Sequence, residues 1–217
     1  MIRFYALPLS TYCTKVRIVL RIKGASFEEL PPHDGHYSSD AYQRHMPPGT
    51  LPSIEVDGFK LFDSEAIVEY LEDIYPSPRM HSLDPEVRAR QRAIAQFHNT
   101  RVEPAVRALF PLVKRRSAKD AQENLEELHA GFEQQLLKLK QVIAPDPFIG
   151  GSKPCLADCG FPATLRMGQD IFRFLGIQAT LDSELVAWLE ALEDHAIIGE
   201  EIGLNRRAIA KWLEGFS

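Results

Sequence analysis

Three short stretches hold side chains whose types and spacing suit chemistry. Ser10, Thr11, Tyr12 and Cys13 stand just ahead of a run with helical periodicity, where unpaired backbone N–H groups and the helix dipole stabilise an anion such as a thiolate. A serine with no base beside it ionises too weakly to attack, so Ser10 fits a hydrogen-bond donor better than a nucleophile. Ser10 and Thr11 also fit as plain helix caps. Cys13 has two readings, a helix-start thiol able to form a mixed disulfide or a buried helix residue. In the second stretch, Leu51-Pro52 leads directly into an apolar strand, where proline supplies no N–H to a ladder. A cis bond there would free the backbone of Leu51 to pair with an extended peptide, and a trans proline would serve only as an edge device. The third stretch is Asp63-Ser64, at the junction of a strand and a helix. A hydroxyl and free N–H groups suit a carboxylate and Asp63 suits an ammonium group, so the pair fits the two ends of an amino-acid zwitterion, or ordinary capping.

The elements that must position these groups follow from periodicity. Ile2, Phe4 and Ala6 alternate as a strand at residues 2–6, and Val16, Val19 and Leu20 mark a helix that stops at Gly24. Residues 26–30 read as a second strand and 38–45 as a short helix. The segment 52–62 reads as a hairpin turning at Asp57-Gly58. Ala66, Ile67, Tyr70, Leu71 and Ile74 form the stripe of a helix from Ser64, and the proline-rich residues 76–85 read as a linker. Beyond it the pattern is helical at 86–112, 118–143, 157–175, 183–195 and 207–213, with a kink expected at Pro104.

Thirty acidic against 25 basic side chains give a net charge of −5, which offers nothing to a nucleic acid or an anionic membrane surface. The N-terminal run is too short to read as a signal peptide and no stretch reaches membrane-spanning length, so a soluble, cytoplasmic protein is expected. Cys13, Cys155 and Cys159 are too few for a disulfide framework. Cys155 and Cys159 are spaced i, i+4 without a second ligand pair, so no metal is expected.

In this order and along nearly the whole chain, these stretches resemble the cytosolic glutathione transferases. Ser10-Thr11-Tyr12-Cys13 is similar to the Ser-x-x-Cys opening of theta- and delta-like members, and the following Lys15 to Leu20 resembles the zeta branch. Pro47-Pro48-Gly49-Thr50-Leu51-Pro52 resembles the family's Pro-x-Gly-x-Val-Pro segment. Asp63-Ser64 resembles the pair that grips the γ-glutamyl group, and Cys155-Leu156-Ala157-Asp158 the box that nucleates a later helix, with a thiol in place of the capping hydroxyl. The resemblance implies a thioredoxin-like α/β N-terminal domain (βαβαββα) at 1–78 and an all-α helical bundle domain at 86–217 that contributes the electrophile site.

It further implies glutathione as co-substrate, with Ser10 as the catalytic donor to its sulfur and Tyr5 as a rival donor. Contacts to glutathione are expected from Ser10, Cys13 and His36, from Leu51 and Pro52, and from Asp63 and Ser64. His45 is the alternative to His36 for the glycine carboxylate. His98, Asn99, Arg101 and Val102 are expected on the electrophile wall. The implied protein is a homodimeric, detoxifying transferase that conjugates the glutathione thiolate to small electrophiles. A thiol reductase, an isomerase or dehalogenase, and a non-enzymatic binding protein are the alternatives.

Overall fold

The computed structural model describes residues 1–114 and 121–216. Four strands form one sheet in the order β2-β1-β3-β4. β1 (Ile2–Tyr5) pairs in parallel with β2 (Phe27–Leu30) and antiparallel with β3 (Ser53–Val56), which pairs in turn with β4 (Phe59–Phe62). A parallel pair needs a crossover, and α1 (Thr11–Ile22) supplies it. Gly24 ends that crossover at φ +63, a left-handed position that favours glycine. Asp57 and Gly58 both take positive φ in the β3–β4 turn, as a two-residue hairpin requires.

Both faces of the sheet are covered. Phe4 and Ile54, opposite one another in the ladder, are fully buried in the core shared by Val16, Val19 and Leu20 of α1 and Ile67, Val68 and Leu71 of α3 (Ser64–Ile74). Each such side chain contributes about 1.5–3 kcal/mol when fully buried. On the other face, Tyr5 packs with Tyr42 and Met46 at and beside α2 (Asp40–His45). Tyr5 is therefore largely taken up in packing.

The segment expected as a linker is pinned. Lys23 donates to the carbonyls of Tyr75 (2.8 Å) and Pro78 (2.7 Å) and to the Glu72 carboxylate, which also accepts from the N–H groups of Met80 and His81. Asp84 then caps α4 (Pro85–Phe97). The single helix expected over 86–112 is broken. A π-helical turn at His98–Val102 follows α4 directly, and then come α5 (Glu103–Arg107), with Pro104 in its first turn, and α6 (Phe110–Lys114). The extra residue per turn shifts the faces of the helix on either side of it.

α7 is Ala121–Val142; the start expected at residue 118 lies outside the described residues. A short 3₁₀ turn at Leu156–Cys159 leads into α8 (Phe161–Phe174), followed by α9 (Ser183–Asp194) and α10 (Ala196–Glu214). α10 begins eleven residues ahead of the expected 207. It packs on α1 and α8, and Glu201, 1% exposed, meets Arg21 at 2.7 Å and Arg17 at 3.5 Å. A carboxylate so buried needs such partners. Together these contacts hold the helical part against the α/β part.

Candidate functional site

A cleft of about 530 Å³ opens where the α/β part meets α4 and the π-helical turn. Its α/β wall is built from Tyr12 and from Pro48, Thr50 and Leu51, closed by Asp63 and Ser64. Gln96, Asn99 and Thr100 form the helical wall.

Each piece is held by its own local structure. Ser10 caps α1 with extended backbone, and its Oγ accepts from the N–H of Cys13 at 3.3 Å. Two residues on, the Tyr12 hydroxyl donates to the Asn99 carbonyl at a long 3.4 Å. Burial, then the neighbouring Glu103 carboxylate, pushes the Tyr12 hydroxyl well above the ordinary tyrosine range, so it stays protonated. The Leu51-Pro52 bond is cis. Tyr42 fixes the approach to it, its hydroxyl donating to the Thr50 carbonyl at 3.0 Å with the Ser53 Oγ at 2.7 Å. Among the described residues, no hydrogen bond engages the backbone N–H or C=O of Leu51. Asp63 adopts φ 71, ψ 122, a region sparsely used by non-glycine residues, while its Oδ1 caps α3 by accepting from Glu65 N (2.9 Å) and Ala66 N (3.4 Å). Such backbone persists only where its surroundings over-determine it, and it gathers at functional sites.

A polar chain runs from the floor of this cleft into the helical part. Lys15, 1% exposed, pairs with Glu65, which accepts from Asn99 Nδ2 at 2.8 Å. Asn99 Oδ1 lies 3.0 Å from His98 Nδ1, and His98 Nε2 lies 2.8 Å from Thr164 Oγ1 on α8. The Asn99 amide donates toward Glu65, so its oxygen faces His98 and favours the Nδ1–H tautomer; Nε2 then accepts from the Thr164 hydroxyl, whose one hydrogen it shares with the Gly160 carbonyl, 3.3 Å from Oγ1. Burial, with the Lys15 charge adding to it, drives the His98 pKa down from 6.5 to about 3, so the ring is neutral.

Residues 4–79 match the family model described as glutathione S-transferase, N-terminal domain. A maleylacetoacetate isomerase from Pseudomonas aeruginosa is 32% identical over 161 residues, covering 72% of this chain and 76% of that protein. The chain belongs to the cytosolic glutathione transferase superfamily. A maleylpyruvate isomerase from Ralstonia is also 32% identical, over 67% of this chain and 72% of its own. The solved delta-class glutathione transferase of Nilaparvata lugens superposes over the full length of both chains with a TM-score of 0.81 at 18% identity, a likeness of fold. Like its superfamily, this glutathione transferase is an enzyme, and the expected thioredoxin-like α/β part with a helical bundle is the fold it has.

Of the residues singled out in the sequence, Leu51, Pro52, Asp63, Ser64 and Asn99 border the cleft. Ser10 sits half-buried at the cap two residues from Tyr12. Several others are placed elsewhere. Cys13 has no exposed surface and burial raises its thiol pKa, which takes it out of contact with a ligand. His98 and Val102 are buried, His98 with both ring nitrogens engaged, so neither forms part of an electrophile wall. The π-helical turn carries Arg101 to a separate groove beside Leu128 and Gln135, its guanidinium 5.4 Å from the centre of the Phe97 ring.

His36 lies outside the cleft, stacked on Tyr37 and 2.6 Å from Ser38 Oγ. His45 also lies outside it, between the rings of Tyr5 and His33. Sequence reasoning missed Gln96 and Thr100 as wall residues. Their spacing to Asn99, three residues before and one after, puts all three on one helical face and was the available signal. Tyr12, from the tetrapeptide Ser10-Thr11-Tyr12-Cys13 singled out in the sequence, borders the cleft as well.

Proposed function

We propose that this cleft binds glutathione and directs its thiolate at a small electrophile. In this reading the γ-glutamyl ammonium meets Asp63, its carboxylate meets Ser64 and the N-terminus of α3, the cysteinyl backbone pairs with Leu51, and the sulfur reaches Ser10. What supports it is the meeting of Tyr12, Leu51, Asp63 and Ser64, from three separate stretches of chain, around one cleft. Ser10 accepts from the Cys13 N–H with a lone pair, so its hydroxyl hydrogen can still be given to a glutathione sulfur. A donor to the anion, backed by the α1 dipole, lowers the thiol pKa by an amount worth about 1.4 kcal/mol per pH unit. The proton passes to solvent, the thiolate forms a C–S bond, and the leaving group departs with its electron pair. The buried Cys13 counts against a mixed-disulfide reductase.

A second reading is favoured by the isomerases among the relatives. There the thiolate adds to a cis double bond, the resulting single bond rotates, and the thiolate is expelled so that no glutathione is consumed. Parallel assays separate the two: chloro-dinitrobenzene conjugation, cis–trans isomerisation of a maleyl keto acid, and reduction of a glutathione mixed disulfide. Turnover in the first supports conjugation, and turnover in the second alone replaces it with isomerisation. A protein that neither binds glutathione in calorimetry nor turns over any of the three would sink both readings. A homodimer belongs to the same proposal. Phe59 and Phe62, each nearly half exposed on edge strand β4, are apolar surface that a second copy would cover, and sedimentation tests it.

A further inference from the structure

The cleft has an acidic end and no basic one. Asp63 is the charged side chain on its walls, and among the described lining residues there is no lysine, arginine or histidine. Pro48, Thr50 and Leu51, beside Gly49, form another stretch of its wall. Gly49 holds φ +60, and a Cβ there would come within 3.0 Å of the Gln43 side chain, so backbone and packing both keep this position free of a reaching side chain.

The nearby cationic and imidazole groups do not line this cleft. His36 Nδ1 faces the N–H and Oγ of Ser38. His45 presents Nε2 to Glu55 Oε2 at 3.4 Å and Nδ1 to Lys60 at 3.2 Å, and Lys60 in turn donates to the His45 carbonyl at 3.0 Å. Arg44, on the exposed side of α2, does not border the cleft.

We infer that this enzyme selects its thiol co-substrate through the γ-glutamyl end alone and leaves the glycine carboxylate of glutathione in water. Thiols that keep γ-glutamylcysteine but lose, neutralise or replace the glycine are then accepted on a par with glutathione. The inference rests on the reading that the cleft holds a γ-glutamyl thiol. It departs from the contact that the family resemblance assigns to His36 or His45. A carboxylate left solvated gains little from distant charges: an exposed ion pair is worth at most about 1 kcal/mol, or about fivefold in affinity.

The test is titration calorimetry on the full chain with four reduced thiols: glutathione, its glycine monoethyl ester, γ-glutamylcysteine, and glutathione acetylated at the γ-glutamyl nitrogen. The expected result is that the first three bind within about tenfold of one another and the acetylated thiol binds at least about tenfold more weakly than glutathione. An ester or γ-glutamylcysteine weaker than glutathione by more than that overturns the inference, as does an acetylated thiol that binds as well as glutathione. If glutathione itself fails to bind, the proposed function falls and takes the inference with it. That outcome is distinct from glutathione binding with a marked preference for its free glycine carboxylate. Asp63→Asn, which keeps an oxygen to cap α3, should weaken the first three by a common factor. Weakening of glutathione alone among them would also overturn the inference.

Discussion

His98 ties the stability of this enzyme to pH through a single buried imidazole. In the unfolded chain its imidazole protonates near 6.5, whereas in the fold burial and Lys15 hold that step down to about 3. A histidine with a depressed folded pKa contributes stability that is fully present above the unfolded pKa and is lost as pH falls toward the folded one. The window therefore runs from 6.5 down to about 3. At pH 4.5, about two pH units into it, the loss is about 2.7 kcal/mol, at 1.36 kcal/mol per unit. In a chain of this size that is on the order of 5–10 °C in melting temperature.

The assay is urea unfolding of the parent protein and His98→Gln at pH 7 and pH 4.5. Glutamine keeps one donor and one acceptor in place of the ring but takes up no proton in this range. At pH 7 the variant should be the less stable of the two, because the packing of His98 against Phe161 and its bond to Thr164 are disturbed. At pH 4.5 the gap should shrink by about 2–3 kcal/mol or reverse, since only the parent loses the His98 contribution. Other titrating groups act on both proteins and cancel in the difference. A gap of the same size at both pH values would refute the reasoning, because it would mean that His98 takes up its proton as readily folded as unfolded.

Other outcomes follow from single contacts. Ser10→Ala should slow conjugation by about 10- to 100-fold through loss of a donor to the thiolate, while the affinity for S-methylglutathione, which has no thiol to ionise, stays nearly unchanged in calorimetry. Gly160→Ala should cost about 1–3 kcal/mol in urea unfolding, because a Cβ there would stand 2.8 Å from His98 Nδ1 and the ring has no free direction in which to move. Asp158→Ala should cost on the order of 3–5 kcal/mol in the same measurement. It strands the N–H groups of Cys155 (2.9 Å), Ile149 (3.0 Å) and Gly150 (3.3 Å) and the Trp188 indole (2.9 Å), all of which donate to that one carboxylate.

What the chain discloses in advance is whatever depends on neighbours in sequence. Asp57-Gly58 turns the hairpin because both residues tolerate positive φ, and the stripe Val16, Val19 and Leu20 needs only a 3.6-residue period to define a buried face. Leu51-Pro52 and Asp63-Ser64 were legible for the same reason, since each is a junction whose backbone demands are local. The start of α10 was not. Its buried face runs Ile198, Ile202, Asn205 and Ile209, interrupted by a polar side chain, and Glu201 beside it is equally buried. Asn205 is tolerated because it donates to the carbonyls of Pro8 and Leu9, and Glu201 because it meets Arg17 and Arg21, all partners some 180 to 200 residues away in the chain. His98 follows the same logic: its neutrality needs burial beside the Lys15 charge, and its tautomer needs an Asn99 already oriented by Glu65. The π-helical turn compounds this, since one inserted residue carries Arg101 away from the cleft that Gln96, Asn99 and Thr100 face. Buried polar groups on this side of the cleft are thus fixed by long-range pairing, and the wall they build can be read only once α1, α3 and α8 are in place around the turn.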